Sequence, residues 1–299
     1  MSITIVISHY SPPENSEHYK SLLANTINSL RSEKINFPME IILCDDGSDW
    51  SKDIIQGDEI FIISDFKKIQ NKYLTTLDVD LYLRIPSDRD YKCIMLKEKA
   101  VKLSKYENIL FLDDDTMLNN NALNKFHNYL KQYEFVKGRM IHSNKLPSTF
   151  FSREVQGTNY AMKKKLYNEF KGFSKYLIPD GLGEDDDITW KVYSTLEKRH
   201  TKSKLACFAG DIIGKDLEAG RWQSGYKGKK ISARRKEFEI NFISTHGVSP
   251  NNNKSRHKKL WMEIPSIRVF IYEIIFILLR FIKLVMRKLK QITHRAIGG

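Results

Sequence analysis

Three carboxylates in a row, Asp113, Asp114 and Asp115, stand where the apolar run Ile109-Leu110-Phe111-Leu112 ends. An apolar run bounded by a polar cluster reads as a central strand of a parallel sheet. In open α/β sheets the ligand lies outside the carboxyl ends of the strands, so these acids border a binding crevice. If the segment stays extended, alternation puts Asp113 and Asp115 on one side of the chain, roughly 7 Å apart. Carboxylates that close repel each other unless a cation sits between them. A hard divalent ion, Mn²⁺ or Mg²⁺, shared with a substrate diphosphate answers that need. The competing reading is a solvated acidic loop.

Two further constellations belong with the first. Asp45-Asp46-Gly47-Ser48 closes the apolar run Ile41-Ile42-Leu43-Cys44, and Ser8-His9-Tyr10 closes the run Ile3–Ile7. Adjacent loops at strand ends can form a nucleotide pocket, a carboxylate accepting from a base N–H and an aromatic stacking on the ring. Asp-Asp-Gly-Ser is also an ordinary turn. The third constellation, Glu184-Asp185-Asp186-Asp187, opens a helix after Gly181 and Gly183. Acids suit a helix N-terminus, but a cap needs one of them, not four. The surplus points to a carboxylate offered to a substrate hydroxyl as general base.

The elements that must position these residues alternate in period. Strands are expected at Ile3–Ser8, Met39–Cys44, Ile60–Ile63, Leu81–Ile85, Ile109–Leu112 and Val136–Ile141. Helical spacing covers Glu17–Leu30, Tyr91–Lys105 and Leu123–Tyr133, and a helix runs from Glu184 through Tyr193. Gly157–Met162 reads as a short strand or turn before a helix into Phe170. Strands separated by helix-length segments indicate βαβ units and a parallel sheet, hence an α/β fold.

The chain has 299 residues and a net charge of +13. Residues 251–299 hold eleven Lys/Arg against Glu263 and Glu273, or +9, and Arg221–Lys236 is a second basic run without an acid. The latter, interleaved with glycines, Trp222 and Tyr226, would suit a mobile loop closing over phosphates. Three cysteines without metal-ligand spacing argue for a reducing compartment. A β-branched start without a basic leader is not a secretory signal.

The tail after Pro265 yields to geometry. At 100° per residue, Arg268, Glu273, Arg280, Lys283, Arg287, Lys290 and Gln291 fall within one arc of about 140°, opposite an apolar face. Three charges interrupt Val269–Met286, too many for a spanning helix. An amphipathic helix lying on an anionic membrane surface is expected, with packing against the domain or a second chain as the alternative. The organisation expected is residues 1–250 as one catalytic domain, 251–265 as linker and 266–299 as the amphipathic helix. Within the domain, 1–118 would bind nucleotide-sugar and 119–250 the acceptor.

In order, three segments resemble those of family 2-type inverting glycosyltransferases with the GT-A fold, a Rossmann-like, mostly parallel sheet flanked by helices. They are Ile41–Ser48, Ile109–Asp115, and the set Gly157–Met162, Gly172-Phe173 and Gly183-Glu184-Asp185. The last also resembles the GGEDDD run of β-1,4-galactosyltransferases and chondroitin-type enzymes. The resemblance implies that Asp45 or Asp46, with Ser8 and Tyr10, binds the nucleobase end of a UDP-sugar. It further implies nucleotide-sugar roles for Asp113 and Asp114, a metal ligand in Asp115, and the general base in Asp185. Glu184 and Asp186 would bind acceptor or donor sugar. Lys97 stands where the family has a diphosphate-binding arginine, and keeps the charge without the fork. His246, after an apolar segment expected to be a strand, is the candidate for the family's downstream metal ligand.

The function expected is transfer of a hexose from a UDP-sugar to a glycan or lipid-linked glycan of a bacterial surface polysaccharide. The location expected is the cytoplasmic face of the cell membrane. Rivals are a non-catalytic glycan-binding or membrane scaffold, and a sugar nucleotidyltransferase. The latter would want a glycine-rich basic loop after the first strand, where this chain has Ser8-His9-Tyr10-Ser11-Pro12-Pro13. No nucleic-acid motif is present, and the sequence leaves the oligomeric state open.

Overall fold

The computed structural model describes residues 2–11, 13–54, 61–65, 71–85, 93–141, 158–175, 184–199, 205–217, 229–247 and 264–297. Nine strands form one mixed sheet: β1 (Ile3–His9), β2 (Met39–Asp45), β3 (Phe61–Ile63), β4 (Leu81–Arg84), β5 (Asn108–Asp113), β6 (Thr116–Leu118), β7 (Phe135–Ile141), β8 (Tyr160–Lys163) and β9 (Ala206–Asp216). Their spatial order is β3-β4-β2-β1-β5-β8-β7-β9-β6. β4, β2, β1 and β5 run parallel, so His9, Asp45, Arg84 and Asp113 all end at one edge. β8 then enters antiparallel between β5 and β7, and β6 pairs antiparallel with β9.

β1 and β2 carry the apolar runs Ile5–Ile7 and Ile41–Cys44, because both faces of the sheet are covered there. On one face α1 (Ser16–Arg31), α2 (Lys72–Thr76) and α4 (Ala122–Gln132) bury Leu23, Ile27, Leu74, Leu123 and Phe126. On the other, α3 (Cys93–Leu103), α5 (Lys164–Glu169) and α6 (Glu184–Lys198) bury Ile94, Leu96, Leu166, Ile188 and Val192. All three cysteines are buried and unlinked.

Several expectations change. β5 ends at Asp113 and the chain turns at Asp114 and Asp115, so the acids do not share one extended segment. The expected loop at Arg221–Lys236 is helical from Lys229, where α7 (Lys229–His246) begins, and residues 218–228 lie outside the described residues. His246 is therefore the last residue of a helix, not a follower of a strand. Gly157, Gly181–Gly183 and the expected linker up to residue 263 also lie outside the described residues.

The final helix, α8 (Ile267–Ile297), lies within the expected tail and packs on the sheet at its first turns. Glu273, one of the polar arc, is buried and paired with Arg139 of β7. A buried carboxylate is tolerable only when paired, and here a guanidinium that is itself fully buried supplies the pair.

Candidate active site

The edge where the parallel strands end is built by side chains from several loops. Asp45 is fully buried, and its Oδ1 accepts the Ser48 N–H at 2.8 Å, closing the turn that Gly47 permits with φ +76°. Its Oδ2 accepts from the hydroxyls of Ser51 and Tyr82, each at 2.5 Å. Arg84, at the end of β4, donates its Nε to Ser51 Oγ at 2.8 Å. Its Nη1 is buried without a hydrogen-bond partner among the described residues. The Asp45 carboxylate thus braces the pocket wall, and the adjacent Arg84 guanidinium keeps a donor in hand.

The loop after β1 joins this wall to the triple acid. His9 Nε2 accepts the Trp50 indole N–H at 3.1 Å, which leaves Nδ1 as the donor to the Asp114 carboxylate. The Asp114 backbone N–H donates to the Ser8 carbonyl at 3.1 Å, and its carbonyl accepts from Thr26 Oγ1 at 2.8 Å. Asp114 is buried, whereas Asp113 and Asp115 on either side are half-buried. Ser8 is buried with its hydroxyl against Cys93, Asp46 is buried, and Tyr10 is exposed.

The first turn of α6 meets this edge. Asp185 is half-buried, and burial plus the carboxylates of Glu184, Asp113 and Asp186 hold its pKa well above the ordinary aspartate range, against Lys97. Lys97, buried on α3, forms an ion pair with buried Glu184. Burial opposes the Lys97 charge, yet Cys93, Glu184, Tyr160 and Asp113 around it keep its pKa well above the usual lysine value. Below them the Tyr160 hydroxyl is fully buried with no hydrogen-bond partner among the described residues. Burial and Glu184 push that phenol up.

The structure thus brings Asp113, Glu184, Asp185 and Lys97 into one electrostatic cluster, bordered by half-buried Asp186. It brings His246 to another place: Nε2 lies 2.9 Å from Asp187 Oδ1, beside the rings of Phe242 and Trp190. Asp187 also takes the Ser174 N–H and hydroxyl, a structural junction behind the cluster. Among the described residues, no three His, Cys, Asp or Glu side chains are grouped to hold a metal ion. Hard divalent ions are often held by one or two carboxylates together with substrate phosphates, and half-buried Asp113 and Asp115 fit that mode. Sequence reasoning missed Trp50 and Arg84, and named His9 and Tyr160 only as members of longer segments, without a role of their own. Only Arg84 carried a signal, a lone cation closing a strand.

Comparison with solved structures places this architecture. Residues covering 76% of this chain and 62% of the other superpose on S. aureus TarS 1–349 in complex with UDP-GlcNAc, at TM-score 0.51 and 18% identity. The fold is the GT-A fold. The mannosyltransferase PcManGT from Pyrobaculum calidifontis, in complex with GDP-Man and Mn²⁺, aligns at TM-score 0.47 and 13% identity over 73% of this chain and 57% of that one. The chain spans less than two thirds of the length of these structures. No protein-family model matches the chain, and no curated protein matches it.

Proposed function

We propose that the protein is a metal-dependent inverting glycosyltransferase that moves a hexose from a UDP-sugar to a glycan or lipid-linked glycan at the inner face of the cell membrane. Bacterial capsule or lipopolysaccharide synthesis is the setting this reading implies. Its main support is the union of Asp185, on the first turn of α6, with Asp113 at the end of β5. A carboxylate with raised proton affinity beside the strand-end crevice suits removal of a hydroxyl proton near neutral pH. The UDP-GlcNAc bound by the TarS fragment supports a UDP donor.

In this mechanism Asp46, Tyr10 and the spare donor of Arg84 would receive the nucleobase, with Ser8 and Asp45 shaping the wall. Asp113 would bind the ribose, while Asp114 locks the turn through His9. Asp115 would hold Mn²⁺ or Mg²⁺, which neutralises charge on the departing diphosphate. Asp185 takes the acceptor proton as the hydroxyl attacks from the face opposite the nucleotide, which inverts the anomeric centre. Lys97, braced by Glu184, offers that carboxylate a counter-charge, and Asp186 lies on the acceptor side.

The test is thermal-shift and calorimetric binding of a UDP-sugar panel with Mn²⁺, with Mg²⁺ and with EDTA. Metal-dependent stabilisation by one UDP-sugar, absent in Asp115→Ala, is the expected result. A folded protein that binds no nucleotide sugar would leave a scaffold instead of an enzyme.

A further inference from the structure

α8 turns one acid of its polar arc inward and leaves a long apolar stripe outside. Its inward residues include Val269, Glu273 and Phe276; Glu273 pairs with Arg139 Nη2 at 2.5 Å, and the guanidinium lies 3.8 Å from the Phe276 ring centroid. A register shift in the β7–β9 ladder builds the receptor for this contact. Gly138 pairs with Ala209 and Arg139 with Ile213, leaving Gly210, Asp211 and Ile212 as a bulge. The Gly210 carbonyl accepts Arg139 Nε at 3.1 Å, and a Cβ on Gly210 would lie 2.7 Å from Nη2. Glu273 of the polar arc is thereby spent on the sheet, while Arg268 at the head of the helix stays exposed.

The apolar stripe faces out. Phe270, Ile271, Ile274, Ile275, Leu278 and Ile282 are each between 43% and 56% exposed. The stripe continues to Met286, about 30 Å from Ile267 at 1.5 Å per residue. Among the described residues no helix is long and apolar enough to cross a membrane. From Ile267 to Ile297 the sequence carries seven Lys/Arg and one Glu, and that Glu is matched by Arg139. Two such helices would repel each other, whereas anionic headgroups contribute about 1 kcal/mol per cation near the surface.

We propose that α8 seats the protein on an anionic lipid bilayer through this outward stripe, as a rigid part of the fold clasped by Arg139 and Glu273. The helix is a runner fixed to the sheet, not a tether. β9 receives the helix at Gly210 and, at its far end, pairs Asp216 with Thr116, while Leu217 N–H donates to the Asp115 carbonyl. One strand therefore links the lipid-facing helix to the acidic turn. A membrane-confined acceptor follows from this only if the transfer reading above holds; bilayer binding itself does not depend on it.

The test is flotation of the full chain with phosphatidylcholine vesicles, with and without phosphatidylglycerol. Wild type is expected to float with the anionic vesicles at least about tenfold more tightly than with the neutral ones. Ile274→Glu with Leu278→Glu should lose that binding without changing the melting temperature. Glu273→Gln should keep vesicle binding but speed amide exchange in the first turns of α8 by at least about tenfold. Retained flotation of the double variant, or a dimer in light scattering that the double variant dissolves, overturns the bilayer. Unchanged exchange in Glu273→Gln overturns the clasp. Flotation with no nucleotide-sugar binding would sink the proposed function alone.

Discussion

Removing one member of the Lys97–Glu184 pair leaves the other as an uncompensated charge in a site both side chains occupy almost without solvent, at a cost of about 3–5 kcal/mol. Lys97→Met should therefore lower stability by that order in urea titrations, and adding Glu184→Gln should restore most of it. A loss under about 1 kcal/mol in the single variant would mean the pair is not desolvated. Asp185→Asn should spare donor binding and cut transfer by at least about 10²-fold. The same change should raise the melting temperature at neutral pH. With a folded pKa above the unfolded one, the native state binds the proton more tightly, so stability falls as pH rises between the two values. Asparagine removes that loss. Transfer should switch on as pH climbs through the raised value, and Lys97→Met should move that limb to higher pH, because Lys97 favours the charged form. The apolar run of β5 made the acids legible, although a turn and not strand alternation leaves Asp114 buried between half-buried Asp113 and Asp115. Their partners were not, since nothing local to Asp114 or Glu184 points to His9 or Lys97.

Among the elements, those with strong period were readable and those with interrupted period were not. β1, β2, β5 and α4 are apolar at the spacing their burial requires. β9 escapes sequence reading because Gly210 and Asp211 break its apolar run at the bulge that receives Arg139. α7 escapes because it opens on a cationic stretch and shows little amphipathic contrast. Single glycines test two of these elements. Gly47→Ala forces a side chain into a left-handed φ of +76° and should cost about 1 kcal/mol, read as a lower midpoint in denaturant. Gly210→Ala brings a methyl within 2.7 Å of Arg139 Nη2 and 3.3 Å of Glu273 Oε2, so it should lower the melting temperature and loosen the start of α8 in amide exchange.

Across the whole molecule, Asp187 knots α6 to α7 and to the Ser174 loop. Burial would raise its pKa, but His246, Lys191 and Ser174 hold it below the ordinary carboxylate range. That stabilisation is complete above the unfolded carboxylate value and is lost as pH falls through the lower folded one. An acid titration of unfolding should show this loss in the wild type, and Asp187→Asn should abolish it while lowering stability at neutral pH. The Arg139–Glu273 contact has a practical consequence for anyone preparing the protein. Trimming a sticky C-terminal helix is the usual route to a tractable sample, yet a stop before residue 267 would uncover the sheet face that Val269 and Phe276 cover and take Glu273 from Arg139. Losing that apolar cover together with the ion pair draws on a typical stability of only about 5–15 kcal/mol, so the shortened chain should express as aggregate. A stop after Leu279 keeps Glu273 and Phe276 in place while discarding the more distal grease, and is the truncation that should crystallise.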